Sequence, residues 1–277
     1  MRTHPENRSA GPATSTAESF DLLGVRVEAV QIADVIRRME KWIDERASPR
    51  FIAVANTHVL VEARQNASFK EVLNSADLCV PDGMPLIWYG RFRGYSLARR
   101  VYGPELMMAF CRDTVPKSVR HYFYGGAPEG SEELVRRLKE SCPGIQIAGC
   151  DAPPFRDVTP EEDDQAIERI NSAGPDVVWV GLGCPKQERW MWSHRGRLSA
   201  PVMVGVGQAF DLLAGRKKSA PRWMREHGLE WIFRFLQEPR RLWRRYLVYN
   251  TKFMGALFLE ILQRSFTREK ARANPQD

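Results

Sequence analysis

Short apolar runs alternate with longer amphipathic stretches along most of this chain. Runs rich in β-branched and aromatic residues predict strands at 51–55, 78–80, 121–124, 145–148, 177–180 and 202–206. Between them, apolar positions at helical spacing predict helices near 31–46, 58–75, 103–113, 129–141, 160–173 and 185–195. Thr159-Pro160-Glu161-Glu162 carries a strong helix start: a capping hydroxyl, Pro at the first helical position and acids in the first turn. Strand–helix alternation of this kind predicts an α/β fold with a largely parallel sheet flanked by helices. Past residue 215 the texture changes. Leu229, Ile232, Phe233 and Leu236 fall at helical spacing, and Pro239 ends or kinks that helix before a second one at 240–250. The chain therefore divides into a polar, disordered tail (1–19), an α/β body (20–215) and a helical appendage (216–277).

Charge sharpens that division. The 277 residues carry a formal net charge of +7. Between residues 216 and 252, eleven basic residues face three glutamates, a window of +8, so the positive charge belongs to the appendage. Eight of the eleven are Arg, which suits bidentate phosphate contact. Trp223, Trp231, Trp243, Tyr246 and Tyr249 are interleaved with them, and such rings settle well at a lipid headgroup layer. A solvated basic face, a nucleic-acid surface, an anionic membrane surface and a phosphate clamp all fit this pattern. No nucleic-acid motif accompanies it, which argues against a nucleic-acid partner. An apolar appendage face kept off the membrane could instead pair with a second copy, a homo-oligomer. Hydrophobic residues at 43 % and charged residues at 27 % exclude wholesale disorder. The five cysteines are odd in number and form no C-x-x-C pair, which speaks against a disulfide framework and for a reduced, cytoplasmic compartment. No apolar run approaches the roughly 18 residues of a spanning helix.

Several predicted strands end in glycine: Gly125-Gly126, Gly181-Leu182-Gly183 and Gly205-Val206-Gly207. In open α/β sheets ligands bind beyond the carboxyl ends of strands, where glycine lets phosphate approach backbone N–H groups. Glycine also simply permits tight turns. Pro81-Asp82-Gly83 is turn chemistry, yet it places a carboxylate at a strand's carboxyl end, within reach of a substrate as a general base. Asn56 and Thr57 end the first strand with polar side chains; Asn56 could hold a substrate hydroxyl or cap the next helix. Lys186 and Gln187 open a helix after Gly183, placed to meet a phosphate and a sugar hydroxyl or to form a solvated first turn. No D-x-D occurs, so the usual aspartate pair for a metal–nucleotide is missing and no metal or other cofactor is expected.

Three blocks in order resemble the WecG/TagA/CpsF glycosyltransferases (glycosyltransferase family 26). They are Val180-Gly181-Leu182-Gly183-Cys184-Pro185-Lys186-Gln187-Glu188-Arg189, the segment 205–215 (GVGQAFDLLAG), and Ala220-Pro221-Arg222-Trp223 followed by 228–241 (GLEWIFRFLQEPRR). Asn56, Pro81-Asp82-Gly83 and the segment 100–106 (RVYGPEL) match the N-terminal half. The resemblance implies a Rossmann-like body and inverting, metal-independent transfer of a hexose or N-acetylhexosamine, of N-acetylmannosamine type or glucose. The donor would be a UDP-sugar and the acceptor an undecaprenyl-diphosphate-linked saccharide at the inner membrane face, in bacterial surface-polysaccharide synthesis.

By the same resemblance Asp82 is the catalytic base, Asn56, Arg100 and Gln187 contact substrate, and Arg234, Arg241 and Arg244 reach the diphosphate from the appendage. Gly125, Gly126, Gly181, Gly183, Gly205 and Gly207 would shape the UDP site with Thr57 and Lys186. Two departures stand out: Val54 where family members often carry Thr, and Gln208 where a small residue is common. A catalytically idle nucleotide-sugar-binding protein on the same fold is the alternative expectation.

Overall fold

The computed structural model of the protein describes residues 18–273 apart from Phe155, with the backbone alone for Arg241, Arg245 and 263–273. The expected disordered tail at 1–19 lies outside the described residues except for its last two, and Ser19 already belongs to a strand.

The chain opens with an antiparallel hairpin, β1 (Ser19–Leu22) and β2 (Val25–Glu28), that the sequence reading did not foresee. Its two-residue turn places Leu23 and Gly24 at φ 57° and 78°, the left-handed pair that matches strand twist. Then follow α1 (Ile32–Asp44), β3 (Arg50–Ala55), α2 (Thr57–Gln65), α3 (Ala67–Asn74), β4 (Leu78–Pro81), α4 (Met84–Phe92) and α5 (Gly103–Asp113). The second half continues with β5 (Arg120–Gly125), α6 (Pro128–Ser141), β6 (Gln146–Asp151), α7 (Pro160–Ala173), β7 (Val177–Gly181), α8 (Lys186–His194), β8 (Val202–Gly205) and α9 (Ala209–Leu213). The appendage comprises α10 (Arg222–Glu226), α11 (Glu230–Gln237), α12 (Pro239–Trp243), a π-helical stretch (Arg244–Tyr249) and α13 (Asn250–Ala273).

β3 to β8 form one six-stranded sheet in the order β4-β3-β8-β7-β5-β6, every neighbouring pair parallel. A parallel sheet is covered on both faces, so its central strands read as unbroken apolar runs. Alternate residues then serve two cores: Val178 and Val180 of β7 face one, Val177 and Trp179 the other. The appendage joins the first core. Phe253 and Ala256 of α13 are buried there, and Glu260 accepts from the Leu23 amide (2.8 Å) and the Tyr89 hydroxyl (3.0 Å).

The sheet edge is capped. The amide of Cys79 on edge strand β4 donates to buried Glu28 Oε2 at 2.7 Å, which covers part of a strand that, among the described residues, pairs only with β3. The helix expected over 58–75 is two helices, because Asn66 breaks it and its side chain accepts from Phe69 N (3.0 Å) to start the second. α4 was not foreseen: its sequence, MPLIWYGRF, follows directly on the Pro-Asp-Gly turn and carries an internal glycine. A Cβ on Gly90 would lie 2.5 Å from a Leu97 methyl and 3.0 Å from the Phe20 ring, so those side chains would have to shift to admit it.

The glycines at strand ends have a packing reason of their own. Gly125 sits at φ 129°, and a Cβ there would lie 2.6 Å from the Gly181 backbone. Gly125→Ala is therefore expected to destabilise the fold by on the order of 3 kcal/mol. Thermal unfolding checks this; an unchanged melting temperature would mean that the two strand ends part freely.

Candidate active site

All parallel strands deliver their carboxyl ends to one edge of the sheet. There β5 turns outward toward β6 while β7 turns the other way toward β8, which opens a crevice between them. A cleft of about 620 Å³ follows this edge. Gly126, Gly181, Gly183, Gly205, Gly207, Lys186 and Gln187 line it together with Asn56 and Asp82. Gly125 does not line it; its place is the contact with Gly181. Val54 and Gln208, the two departures, both face this cleft.

A second cavity of about 280 Å³ lies between the body and the appendage. Its walls are Met84 and Trp88 of α4, Trp231 of α11, Tyr246, and Phe253 and Met254 of α13. Asn56, Asp82 and Arg234 line both cavities, so the carboxylate stands where a polar cleft meets a mainly apolar groove. Thr57 belongs to the groove, where its hydroxyl donates to Asn250 Oδ1 at 3.3 Å. Asn56 fulfils its capping alternative: Oδ1 accepts from His58 N (3.1 Å) and Val59 N (3.4 Å).

Asp82 is fixed by backbone on both sides. Its amide donates to Ala55 O at 2.8 Å, and its carbonyl accepts from Arg100 Nη1 at 3.1 Å. The same Nη1 stands 3.8 Å from Asp82 Oδ1. Arg100 Nη2 pairs with Glu230 of the appendage. Glu230 also accepts from Arg234 Nη2 at 2.8 Å and from the Tyr102 hydroxyl at 3.2 Å. Burial alone would raise the Glu230 carboxyl, but Arg234 and Arg100 outweigh it and hold the group below its ordinary range. Burial and then Glu230 push Tyr102 up to about 12. Body and appendage thus share one charge cluster, in which Arg100 joins Asp82 to Glu230 and Glu230 holds Arg234.

Glu230, Tyr102 and Lys217 escaped the sequence reading. Glu230 was counted only as an acid opposing the basic window, although its position four residues before Arg234 is the spacing of a helical ion pair. Lys217 lines the cleft and pairs with Asp211 (3.0 Å) and Glu238 (3.6 Å); Arg216 lines it as well. Lys186 is exposed at the rim, its Nζ donating to Arg156 O at 3.4 Å. Arg244 is not brought into either cavity: it is exposed, 6.0 Å over the Trp243 ring. The side chain of Arg241 lies outside the described residues.

Glu188 is the other unforeseen group. It is fully buried, and burial raises its carboxyl to about 7 from an ordinary 4.5, against hydrogen bonds from Gln187 and its own amide. With the folded value above the unfolded one, its contribution to stability is whole below about pH 4.5 and is lost as pH rises through 7. The stability gap between wild type and Glu188→Gln is thus expected to move against the wild type by roughly 3 kcal/mol across that window. Urea unfolding at pH 5 and pH 8 measures it; a gap that stays constant would show that Glu188 does not take up a proton on folding.

The glycosyl transferase WecG/TagA/CpsF family model matches residues 20–267. A protein of Bacillus spizizenii named N-acetylglucosaminyldiphosphoundecaprenol N-acetyl-beta-D-mannosaminyltransferase is 32 % identical over 217 residues, covering 78 % of this chain and 82 % of the relative. A Staphylococcus aureus protein of the same name is 28 % identical over 231 residues, covering 83 % and 89 %. The match spans the α/β body and most of the appendage, and the chain belongs to the WecG/TagA/CpsF family of glycosyl transferases.

Proposed function

We propose that the protein is an inverting transferase that moves a hexose or N-acetylhexosamine from a UDP-sugar to an undecaprenyl-diphosphate-linked saccharide. One observation carries this: Asp82 stands at the junction of a polar, glycine-lined cleft and an apolar groove, and Arg234 lines both. The cleft suits a nucleotide diphosphate and its sugar. The groove suits an acceptor with a lipid portion. Asp82 then takes the proton from the acceptor hydroxyl as that oxygen attacks the anomeric carbon. The new C–O bond forms on the face opposite the breaking bond to the diphosphate, and UDP departs with the electron pair. Fixed guanidinium and ammonium groups stabilise the charge that develops there. Arg234, Arg216 and Lys217 line the cleft and fill that role in this proposal. Arg244 joins them only if the π-helical stretch swings inward, a closure that a membrane surface would favour.

The appendage's exposed Trp243, Leu247, Met254 and Phe258, with Trp88 and Phe92 of α4, give the molecule apolar side chains for such a surface. Among the described residues no helix is long and apolar enough to cross a membrane, and in this proposal the protein sits peripherally on the inner face. The relatives' names make UDP-N-acetylmannosamine the first donor to test, with an N-acetylglucosaminyl-diphosphate lipid as acceptor. A panel of UDP-sugars against a short-chain form of that lipid, scored by product mass, is expected to give a product heavier by one sugar residue. No product with any donor of the panel would sink the proposal.

A further inference from the structure

α8 opens beneath the cleft with two adjacent buried polar side chains, Gln187 (4 % exposed) and Glu188 (0 %). Gln187 Nε2 donates to Glu188 Oε1 at 2.8 Å. A carboxyl oxygen without a proton only accepts, so the amide nitrogen must face it and the amide oxygen is turned away. That oxygen lies 3.5 Å from the point where a Cβ on Gly207 would stand, at the floor of the cleft. It is buried and has no protein partner among the described residues. A buried acceptor left unsatisfied is costly, and a ligand that brings a donor relieves the cost.

We infer that Glu188 is a positioning residue: it locks the Gln187 amide oxygen toward the cleft, so that the site takes an O–H or N–H of the donor sugar there and rejects a phosphate oxygen. The inference rests on reading the cleft as a UDP-sugar site. Glu188 Oε2 likewise has no protein partner among the described residues. A proton carried on Oε2 leaves Oε1 free to accept, so the lock holds in both ionisation states. The glycines explain why the amide fits: a Cβ on Gly205 would lie 3.1 Å from Gln187 Nε2 and 2.8 Å from Met191.

The test is a double-mutant cycle read by calorimetric binding of UDP-glucose, UDP-N-acetylglucosamine and UDP-N-acetylmannosamine, without acceptor. Glu188→Met keeps the volume and removes the acceptor; it is expected to weaken the tightest-bound donor about 5- to 10-fold. Glu188→Gln, whose amide oxygen still accepts, recovers at least half of that loss. In a Gln187→Ala background Glu188→Met changes affinity less than about twofold, because there is no amide left to orient. Equal losses in both backgrounds, or no loss in either, overturn the inference. A variant-free reading comes from the Gln187 side-chain amide protons by NMR. They exchange slowly with and without donor if Glu188 holds them; protection that appears only on donor binding overturns the lock. Failure of the unmodified protein to bind any of the three UDP-sugars would instead overturn the UDP-sugar reading itself.

Discussion

If the proposed mechanism holds, Asp82→Asn is expected to lower kcat by about 10²- to 10⁴-fold while UDP-sugar binding stays within a few-fold of wild type. That range is what removal of a positioned general base costs. The substitution keeps the shape of the side chain and leaves the two backbone bonds at this position, to Ala55 O and from Arg100, untouched. Arg100 and Arg234 both stay paired with Glu230, so neither is left without an anionic partner. What disappears is the carboxylate able to take a proton at the meeting point of cleft and groove. Initial rates at saturating donor and acceptor, set beside calorimetric binding of the donor, separate the two effects. A variant that keeps a tenth of the wild-type kcat would remove Asp82 from the chemistry. Loss of donor binding in step with rate would make it a binding residue.

The frame of this site was legible because its signals are local. A strand buried on both faces writes itself as an apolar run, which is why all six sheet strands begin within one residue of their expected positions. Helix α5 matches its expected span because Pro104 starts it and its apolar positions recur at helical spacing. Asp82 was visible since a carboxylate one residue past a strand end is placed by the strand alone. Glu230 was not visible as a site residue, because its meaning depends on Arg100, 130 residues away in sequence. The apolar groove was hidden for the same reason: it exists only once α13 lies against α2 and α4. Hairpin β1–β2 escaped because each strand has only four residues. Arg244 is the converse case. Likeness in sequence assigns it a role at the diphosphate, but the π-helical stretch points it over Trp243 in this arrangement.

Glu230→Ala is the most damaging single change expected in the appendage, and stability registers it before activity does. Glu230 is 8 % exposed and is shared by Arg100, Arg234 and Tyr102. Its removal leaves two guanidiniums in a site where Arg100 is 14 % and Arg234 22 % exposed at the side chain. Breaking a buried pair from one side costs about 3–5 kcal/mol, since the stranded partner keeps its desolvation penalty. For a chain of this length that is a fall of on the order of 10 °C in melting temperature.

Because the Glu230 carboxyl is held below its ordinary value of 4.5, its stabilisation is present above that pH and is lost as pH falls through the lower folded value. The gap between wild type and Glu230→Ala should therefore narrow in acid. Adding Arg234→Ala to Glu230→Ala should return part of the lost stability, because one stranded charge goes while Asp82 still faces Arg100. It should return no activity, since the appendage's cation that lines cleft and groove with Asp82 is then gone. Thermal melts at neutral and acid pH, with kcat for the same proteins, measure all three effects. A Glu230→Ala protein within 1 kcal/mol of wild type by urea unfolding would mean that appendage and body are held together by their other contacts, those of Phe253, Ala256 and Glu260 among them, and that the charge cluster is incidental to the fold.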